Sequence, residues 1–229
     1  MLLETLAATP RCDGSPSCTD IPNPKPHRIM PAKTRPGWYL WIDAVAGFWL
    51  IDGTTFVVGG SSGEEVADIA VRSSWRPREA TLTRCGDTFE VSSQKSSGDS
   101  AFVKYNEPID LNVGPCLRMI KPSPLSRSVV VSVDPPHRFV KPVDAIILFD
   151  QSILIGPNGA QHIRCPAATG SMVLFYRGGQ WSVRASGGEI IAINDGVCNE
   201  IDNVVMTMKR EGGKLPSGPP GDTQNDASQ

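Results

Sequence analysis

The stretch TLTRCGDTFEV, residues 81–91, predicts a β-hairpin and decides the fold class. Apolar and polar residues alternate on both sides of Gly86, as expected for two half-buried strands. The stretch VLFYRGGQWSV, residues 173–183, has the same pattern and aligns with the first without a gap. The aligned pairs are Leu82 with Leu174, Gly86 with Gly178, Phe89 with Trp181, and Val91 with Val183.

The match extends beyond the hairpins on both sides. DGTTFVVGG at 52–60 lies over DQSILIGP at 150–157, and VKYNE at 103–107 answers IAIND at 191–195. The first of these pairs places Gly59 against Gly156. Self-similarity of this kind predicts two copies of one β unit, with KPSPLS at 121–126 as the link between them.

The rest of the chain supports an all-β fold. Short runs rich in Val, Ile, Phe, Tyr and Trp are separated by Gly, Pro, Ser and Asp, and no segment has a sustained helical period. Many short strands with compact turns are typical of β-sandwiches. The predicted organisation is a disordered Pro-rich tail at 1–36, a first sandwich at 37–120, a second and more divergent sandwich at 125–210, and a disordered tail at 211–229.

Composition excludes several classes of function. The net charge of −2 and the pI of about 5.9 argue against a general nucleic-acid binder or a protein that binds anionic membranes. There is no apolar run of about 18 residues that could span a bilayer, and MLLETLAATP lacks the basic start of a secretory signal, so we expect a cytoplasmic protein. The six cysteines include no C-x-x-C pair and are expected to stay reduced, with no metal and no cofactor.

Four stretches in the first copy carry a family resemblance: VVGG, ADIAV, WRPREATLTRCGDTFEV and FVKYNE. In this order they resemble the frame of the forkhead-associated (FHA) family, whose members are β-sandwiches of about eleven strands that read phosphothreonine peptides through loops at one end. The resemblance covers residues 37–120 well and 125–208 more weakly. It implies two tandem FHA-like sandwiches and a role in holding a protein partner, within a signalling or secretion assembly.

The residues that grip phosphothreonine in the family are replaced in this chain. The resemblance places the phosphate-binding Arg on Gly60, the Ser on Arg76 and the His on Glu79, while the second Asn of the family pattern matches Asn106. In the second copy the Arg position is Pro157. Both copies are therefore predicted to be degenerate at the phosphothreonine site.

The polar loop that carries Arg72, Arg76 and Arg78 is the candidate binding surface. Arginine forks grip phosphates and carboxylates, so Arg76 or Arg78 could replace the missing Arg. The alternatives are a phosphate-independent protein contact and a solvated loop. Trp75 in the same loop is either an interface anchor or a lid over one end of the sandwich. The candidate ligand-binding residues are Ser61, Ser62, Arg72, Ser73, Ser74, Arg76, Arg78 and Asn106.

The sequence therefore predicts a non-enzymatic protein–protein interaction module that is not a standard phosphothreonine reader. The alternatives are phosphopeptide binding by the first copy through Arg76 and Arg78, and a structural scaffold that self-associates through strand edges. The predicted partner is a protein or phosphoprotein, with no nucleic acid and no membrane insertion. His137 beside Asp134, and His162 close to Cys165, are interpreted as structural, since no acid, base and nucleophile are grouped in the sequence.

Overall fold

The computed structural model describes residues 36–61, 67–93, 100–109, 111, 114–124 and 126–212. The predicted tails lie outside these residues, except for their innermost ends. The described residues form strands and no helix, which confirms the all-β class. The strands are β1 (Trp38–Ile42), β2 (Ala46–Asp52), β3 (Thr55–Gly60), β4 (Ile69–Val71), β5 (Ala80–Cys85), β6 (Thr88–Ser93), β7 (Ser100–Phe102), β8 (Pro108–Ile109), β9 (Leu117–Ile120), β10 (Val129–Val133), β11 (Ala145–Phe149), β12 (Ser152–Gly156), β13 (Ile163–Arg164), β14 (Met172–Arg177), β15 (Gln180–Arg184), β16 (Ile190–Ile193), β17 (Cys198–Ile201) and β18 (Val204–Arg210).

These strands form three sheets. The middle sheet has eight strands in the order β17-β18-β1-β2-β11-β10-β9-β8. The first outer sheet has the order β4-β3-β5-β6-β7, and the second outer sheet has the order β13-β12-β14-β15-β16. Most neighbours are antiparallel, while β2 and β11, β3 and β4, and β12 and β13 pair in parallel.

The central strands of the middle sheet are buried on both faces. Along β2 the side chains alternate: Phe48 and Leu50 belong to one apolar cluster, whereas Trp49 and Ile51 belong to the other. We call the cluster under the first outer sheet the first core, and the cluster under the second outer sheet the second core. A strand that is covered on both faces needs a continuous apolar run, and β11, with the sequence AIILF, is buried throughout.

The two outer sheets match strand for strand. Leu82 pairs with Val91 in the hairpin of the first sheet, and Leu174 pairs with Val183 in that of the second. The register therefore agrees with the alignment of the two hairpins. Each sheet also has a short parallel strand beside the strand that contains the aligned glycine.

The alignment of 103–107 with 191–195 is wrong by two residues. Phe102, just before Val103, pairs with β6 as Ala192 pairs with β15, so Val103 corresponds to Ile193. Asn106 and Gly196 then coincide, with φ of 66° and 71°, and each donates its backbone N–H to a later strand, at 2.8 and 2.7 Å. A shift of two preserves the alternation of a strand, which is why the pattern did not reveal it.

Two hairpins, β1–β2 and β10–β11, pair with strands from the other half of the chain. β1 pairs with β18 at the end of the second half, and β9 pairs with β10 at its start. The first outer sheet is thus covered mainly by strands from residues 108–149, and the second mainly by strands from 198–210 and 38–52, while β2 and β11 contribute to both cores. The short connection 121–128 favours this arrangement, because sequential strands joined by short connections usually lie side by side. The division into two sandwiches at 37–120 and 125–210 stays a prediction. In the middle sheet, strands from both ranges lie side by side.

Among the described residues there is no helix long and apolar enough to cross a membrane.

Candidate functional site

The end of β3 is covered by the loop that carries the predicted arginines. The backbone N–H of Gly60 donates to the carbonyl oxygen of Arg76 at 2.8 Å. A Cβ added to Gly60 would lie 2.1 Å from the oxygen of Trp75, and a Cβ added to Gly59 would lie 2.0 Å from the oxygen of Pro77. Only glycine permits so close an approach of two backbone segments. The resemblance places a phosphate-binding Arg at Gly60, and this position is therefore covered by the backbone of residues 75–77.

Glu79, where the resemblance places a His, holds this loop. Its side chain is buried, and its Oε2 accepts the backbone N–H of Arg76 at 3.3 Å. Its own N–H donates to the carbonyl oxygen of Val58 at 2.8 Å. A buried carboxylate that accepts a backbone N–H braces the backbone, since burial without hydrogen bonds would be costly.

Trp75 closes one end of the first core. It is 3% exposed and packs in the first core, and a Cβ added to Gly114 would lie 3.2 Å from its Nε1. Its backbone N–H donates to Ser73 Oγ at 3.3 Å, and Ser73 Oγ in turn donates to the carbonyl oxygen of Val71 at 3.4 Å. Trp75 is thus a buried core residue, which agrees with the interpretation as a lid and not with that as an exposed interface anchor.

The structure separates the remaining candidate residues. Ser61, Ser74 and Arg76 are exposed, and Arg78 is half-buried in the same loop. Ser62 lies outside the described residues. Asn106 lies on the turn after β7, where its carbonyl oxygen accepts Arg118 Nη1 at 3.4 Å. The loop 72–79 thus presents several of the predicted groups, and Asn106 belongs to another turn.

Arg72 faces an arginine that the sequence analysis missed. Val71 forms an antiparallel bridge with Phe139, and the N–H of Arg72 donates to the carbonyl oxygen of Arg138 at 2.8 Å. Arg138 lies in the connection between β10 and β11, which the first copy replaces with a short turn after Ile42. The unequal length of these connections, visible in the sequence, was the signal that could have pointed to it.

An ion pair fixes the start of the same connection. Arg118 Nε donates to both carboxylate oxygens of Asp134 at 3.1 Å, and its Nη2 donates to Oδ2 at 2.8 Å. These hydrogen bonds lower the pKa of Asp134, while burial and the neighbouring Asp134 raise the pKa of Cys116. His137 meets Asp134 only through the backbone, its N–H donating to the carbonyl oxygen at 3.2 Å. The carboxylate is therefore engaged by arginine, and it does not form a catalytic pair with His137.

His162 is a structural residue that ties β12 to the connection before β10. Its Nδ1 accepts the N–H of Leu154 at 2.9 Å, so the proton is assigned to Nε2, which donates to the carbonyl oxygen of Ser128 at 3.0 Å. Burial lowers the pKa of His162. Cys165 is also buried, in the second core. In the part of the chain that the structure describes, no three His, Cys, Asp or Glu residues are grouped to hold a metal.

Comparison with known proteins gives little beyond this geometry. No family model matches the chain, and no curated protein matches it. One solved structure is similar to it, the N-terminal FHA domain of EssC, a component of the bacterial type VII secretion apparatus. That likeness has 10% sequence identity and a TM-score of 0.21, and it covers 76% of this chain and 92% of that one. A TM-score of this size carries no argument about fold or function.

Proposed function

We propose that this chain is a non-enzymatic protein-interaction module built on an FHA-like β scaffold, and that it is not a standard phosphothreonine reader. The observation that carries the proposal is the approach of the Trp75–Pro77 backbone to Gly59 and Gly60. A phosphate-gripping side chain at Gly60 would collide with this backbone. The loop that replaces it carries two exposed arginines, Arg72 and Arg76.

The hydrogen bonds of one acid and one histidine support the absence of catalysis in this proposal. Asp134 is held by Arg118, and His162 is held between two backbone groups. A general base must be free to reach a substrate proton. Groups that are already committed to the scaffold serve stability, while exposed loops on such a scaffold serve recognition.

The test is calorimetry of the full chain against a library of phosphothreonine peptides and the same peptides without phosphate. We expect weak or absent binding of the phosphothreonine peptides, with any heat lost at high salt because an exposed anion contact is screened. Tight, salt-resistant binding specific to phosphothreonine would overturn the proposal. If that binding disappeared in Arg76→Ala with Arg78→Ala, the alternative of phosphopeptide recognition by the first copy would replace it.

Affinity capture from native lysate with and without phosphatase treatment separates the two classes of partner. The proposal expects capture that phosphatase does not change. Sedimentation velocity of the purified chain separates partner binding from self-association through strand edges. A stable oligomer that captures no other protein would favour the structural scaffold instead.

A further inference from the structure

The connection between β10 and β11 adds a short extended segment to the first outer sheet. Arg72 donates its N–H to the carbonyl oxygen of Arg138, and Val140 donates its N–H to that of Ala70, both at 2.8 Å. The bridge between Val71 and Phe139 lies between these two bonds. Residues 138–140 therefore run antiparallel to β4 and cover its free side.

This pairing sets the directions of the side chains around the bridge. Val71 and Phe139 are 0% and 3% exposed, and both pack in the first core. Because neighbouring residues in extended segments point to opposite faces, Arg72 and Arg138 point outward, and both are exposed. Directly opposed residues of an antiparallel pair have Cα atoms about 5.5 Å or less apart. The two guanidinium groups therefore share one face and can reach the same ligand.

Two like charges opposite one another on a sheet destabilise it unless something offsets their repulsion. Among the described residues, neither Arg72 nor Arg138 forms an ion pair with a carboxylate. Two other arginines near this connection differ: Arg118 is paired with Asp134, and Arg127 lies 3.4 and 3.3 Å from two carboxylates. An exposed arginine pair with no acidic partner among the described residues is suited to an acid from a binding partner.

A cleft lined by both apolar and polar residues lies beside this pair. It has a volume of about 400 Å³, and Arg138 and His137 line it together with Val133, Pro135, Pro136, Phe139 and Val143. Asp144 also borders the cleft, but its Oδ2 accepts the N–H of Gly47 at 2.8 Å. The cleft therefore combines apolar residues with polar ones, and Arg138 is the cation at its edge.

We propose that Arg72 and Arg138 bind the carboxylates of a partner protein segment, and that the cleft takes an apolar side chain next to those carboxylates. This inference rests on the proposed function and names the chemistry of the partner. The apolar residues of the cleft favour a peptide over an inorganic anion, and the net charge of −2 argues against nucleic acid. The donors favour carboxylate over phosphate: the N–H of Arg72 is taken by Arg138, and the hydroxyl of Ser73 is bonded within its own turn.

The test uses a blocked, fluorescein-labelled heptapeptide with aspartate, phenylalanine and aspartate at its centre. Its binding to the full chain is followed by fluorescence anisotropy and by amide chemical shifts. We expect shifts at residues 72 and 137–140, and an affinity that falls as salt rises. Arg72→Ala and Arg138→Ala should each weaken binding about tenfold, as expected for loss of a charge-assisted hydrogen bond. Arg164→Ala, an exposed arginine on the corresponding edge strand of the second outer sheet, is the matched control and should bind unchanged.

Three control peptides decide the chemistry. Replacing both aspartates with asparagine, or the phenylalanine with alanine, should weaken binding. Equal binding of either control, or equal loss in Arg164→Ala, overturns the inference. Tighter binding of a peptide with phosphothreonine in place of one aspartate, still dependent on Arg72 and Arg138, overturns the assignment to carboxylates.

Stability of the free protein separates a binding role from a structural one. Because the two charges repel, Arg72→Ala and Arg138→Ala should leave the free energy of unfolding unchanged or slightly higher. A clear loss of stability in both variants would mean that the arginines hold the loop, and would overturn the inference. If the variant that carries both Arg72→Ala and Arg138→Ala still captures a partner, and phosphatase does not change that capture, the proposed function stands and this site is not its basis.

Discussion

The hairpins β1–β2 and β10–β11 occupy equivalent places in the middle sheet, but their connections differ. β1 ends at Ile42 and β2 begins at Ala46, which leaves residues 43–45, whereas β10 ends at Val133 and β11 begins at Ala145, which leaves residues 134–144. Both connections begin with an aspartate whose backbone N–H bonds to the neighbouring strand. The strands carry the same packing in both halves, and the longer connection alone adds the cleft and the second arginine. Differences between the halves therefore concentrate in the loops, as is usual where a scaffold supports binding.

The strongest way to break this comparison is to cut the chain. A fragment of residues 53–150 contains β3 to β11 and should show a cooperative thermal transition by circular dichroism, because these strands close most of the first core. A fragment of residues 37–120 should not, since β10 and β11, which separate β2 from β9 in the middle sheet, are missing from it. A cooperatively folded 37–120 fragment would mean that the hairpin exchange is not needed for folding.

The matched hairpins should respond alike to loss of their core aromatics. Phe89 and Trp181 are 1% and 2% exposed, so replacing either with alanine should cost about 3–5 kcal/mol of unfolding free energy through the cavity left behind. Denaturant melts measure this cost. Phe102→Ala, at a residue that is 67% exposed, is the control and should change stability by about 0.5 kcal/mol or less. A silent Phe89→Ala or Trp181→Ala would show that the two hairpins are not equivalent.

The glycines at the ends of β3 and β12 should respond differently. Gly60→Ala would place a Cβ 2.1 Å from a backbone oxygen, and should cost about 1–3 kcal/mol by overpacking. Gly156→Ala would meet Ser171 Cα at 3.2 Å and the Gln161 side chain at 3.3 Å. The Gln161 side chain can rotate away, and the contact with Ser171 Cα needs only a small backbone shift, so the expected cost in a denaturant melt is below about 1.5 kcal/mol.

Gly159→Ala is the control for this pair, because no atom lies within 4 Å of the added Cβ. Equal costs for Gly60→Ala and Gly156→Ala would mean that the loop over β3 yields as readily as the second-half side chain. The tight cover over the first site would then be a weak contact.

The smallest expected effect is a pH dependence that belongs to the second half. His162 has a lowered pKa in the folded protein, so folding favours its neutral form. The stability it contributes is complete above the unfolded pKa of about 6.5 and is lost as the pH falls from there through the folded pKa. Unfolding free energies measured across this window should show the decline, and His162→Gln should remove it. The control His137→Gln should retain the decline. Loss of the decline in His137→Gln, and not in His162→Gln, would contradict this prediction.

Much of the local structure could be predicted from the sequence. Alternation fixed which hairpin residues face inward, and Leu82, Phe89, Leu174 and Trp181 are all buried. Alternation states only which face of a strand is apolar, and it does not identify the neighbouring strand. The pairing of β1 with β18 joins the two ends of the described fold, so no local pattern could predict it.

The candidate site could be predicted only in part, because the sequence pattern does not show which distant segments become neighbours. Arg72 was identified from its loop. Arg138 becomes its neighbour only because β10 packs under the first outer sheet, so that the connection after β10 reaches β4. The burial of Trp75 and Glu79 likewise depends on Gly59 and Gly60, whose small size lets the loop lie on the strand. Residues joined by tertiary contact, far apart along the chain, were the ones that sequence reasoning missed.

The exchange of hairpins also orders events during translation. β1 leaves the ribosome among the first strands of the described fold, but β18, its partner along one side, leaves among the last. The first core can close once β11 has emerged, and β2 can then dock on β11. The apolar face of β1 that carries Leu40 must wait for the second outer sheet and β18 to cover it. This interval is when the nascent chain is most prone to aggregate and has most to gain from a chaperone.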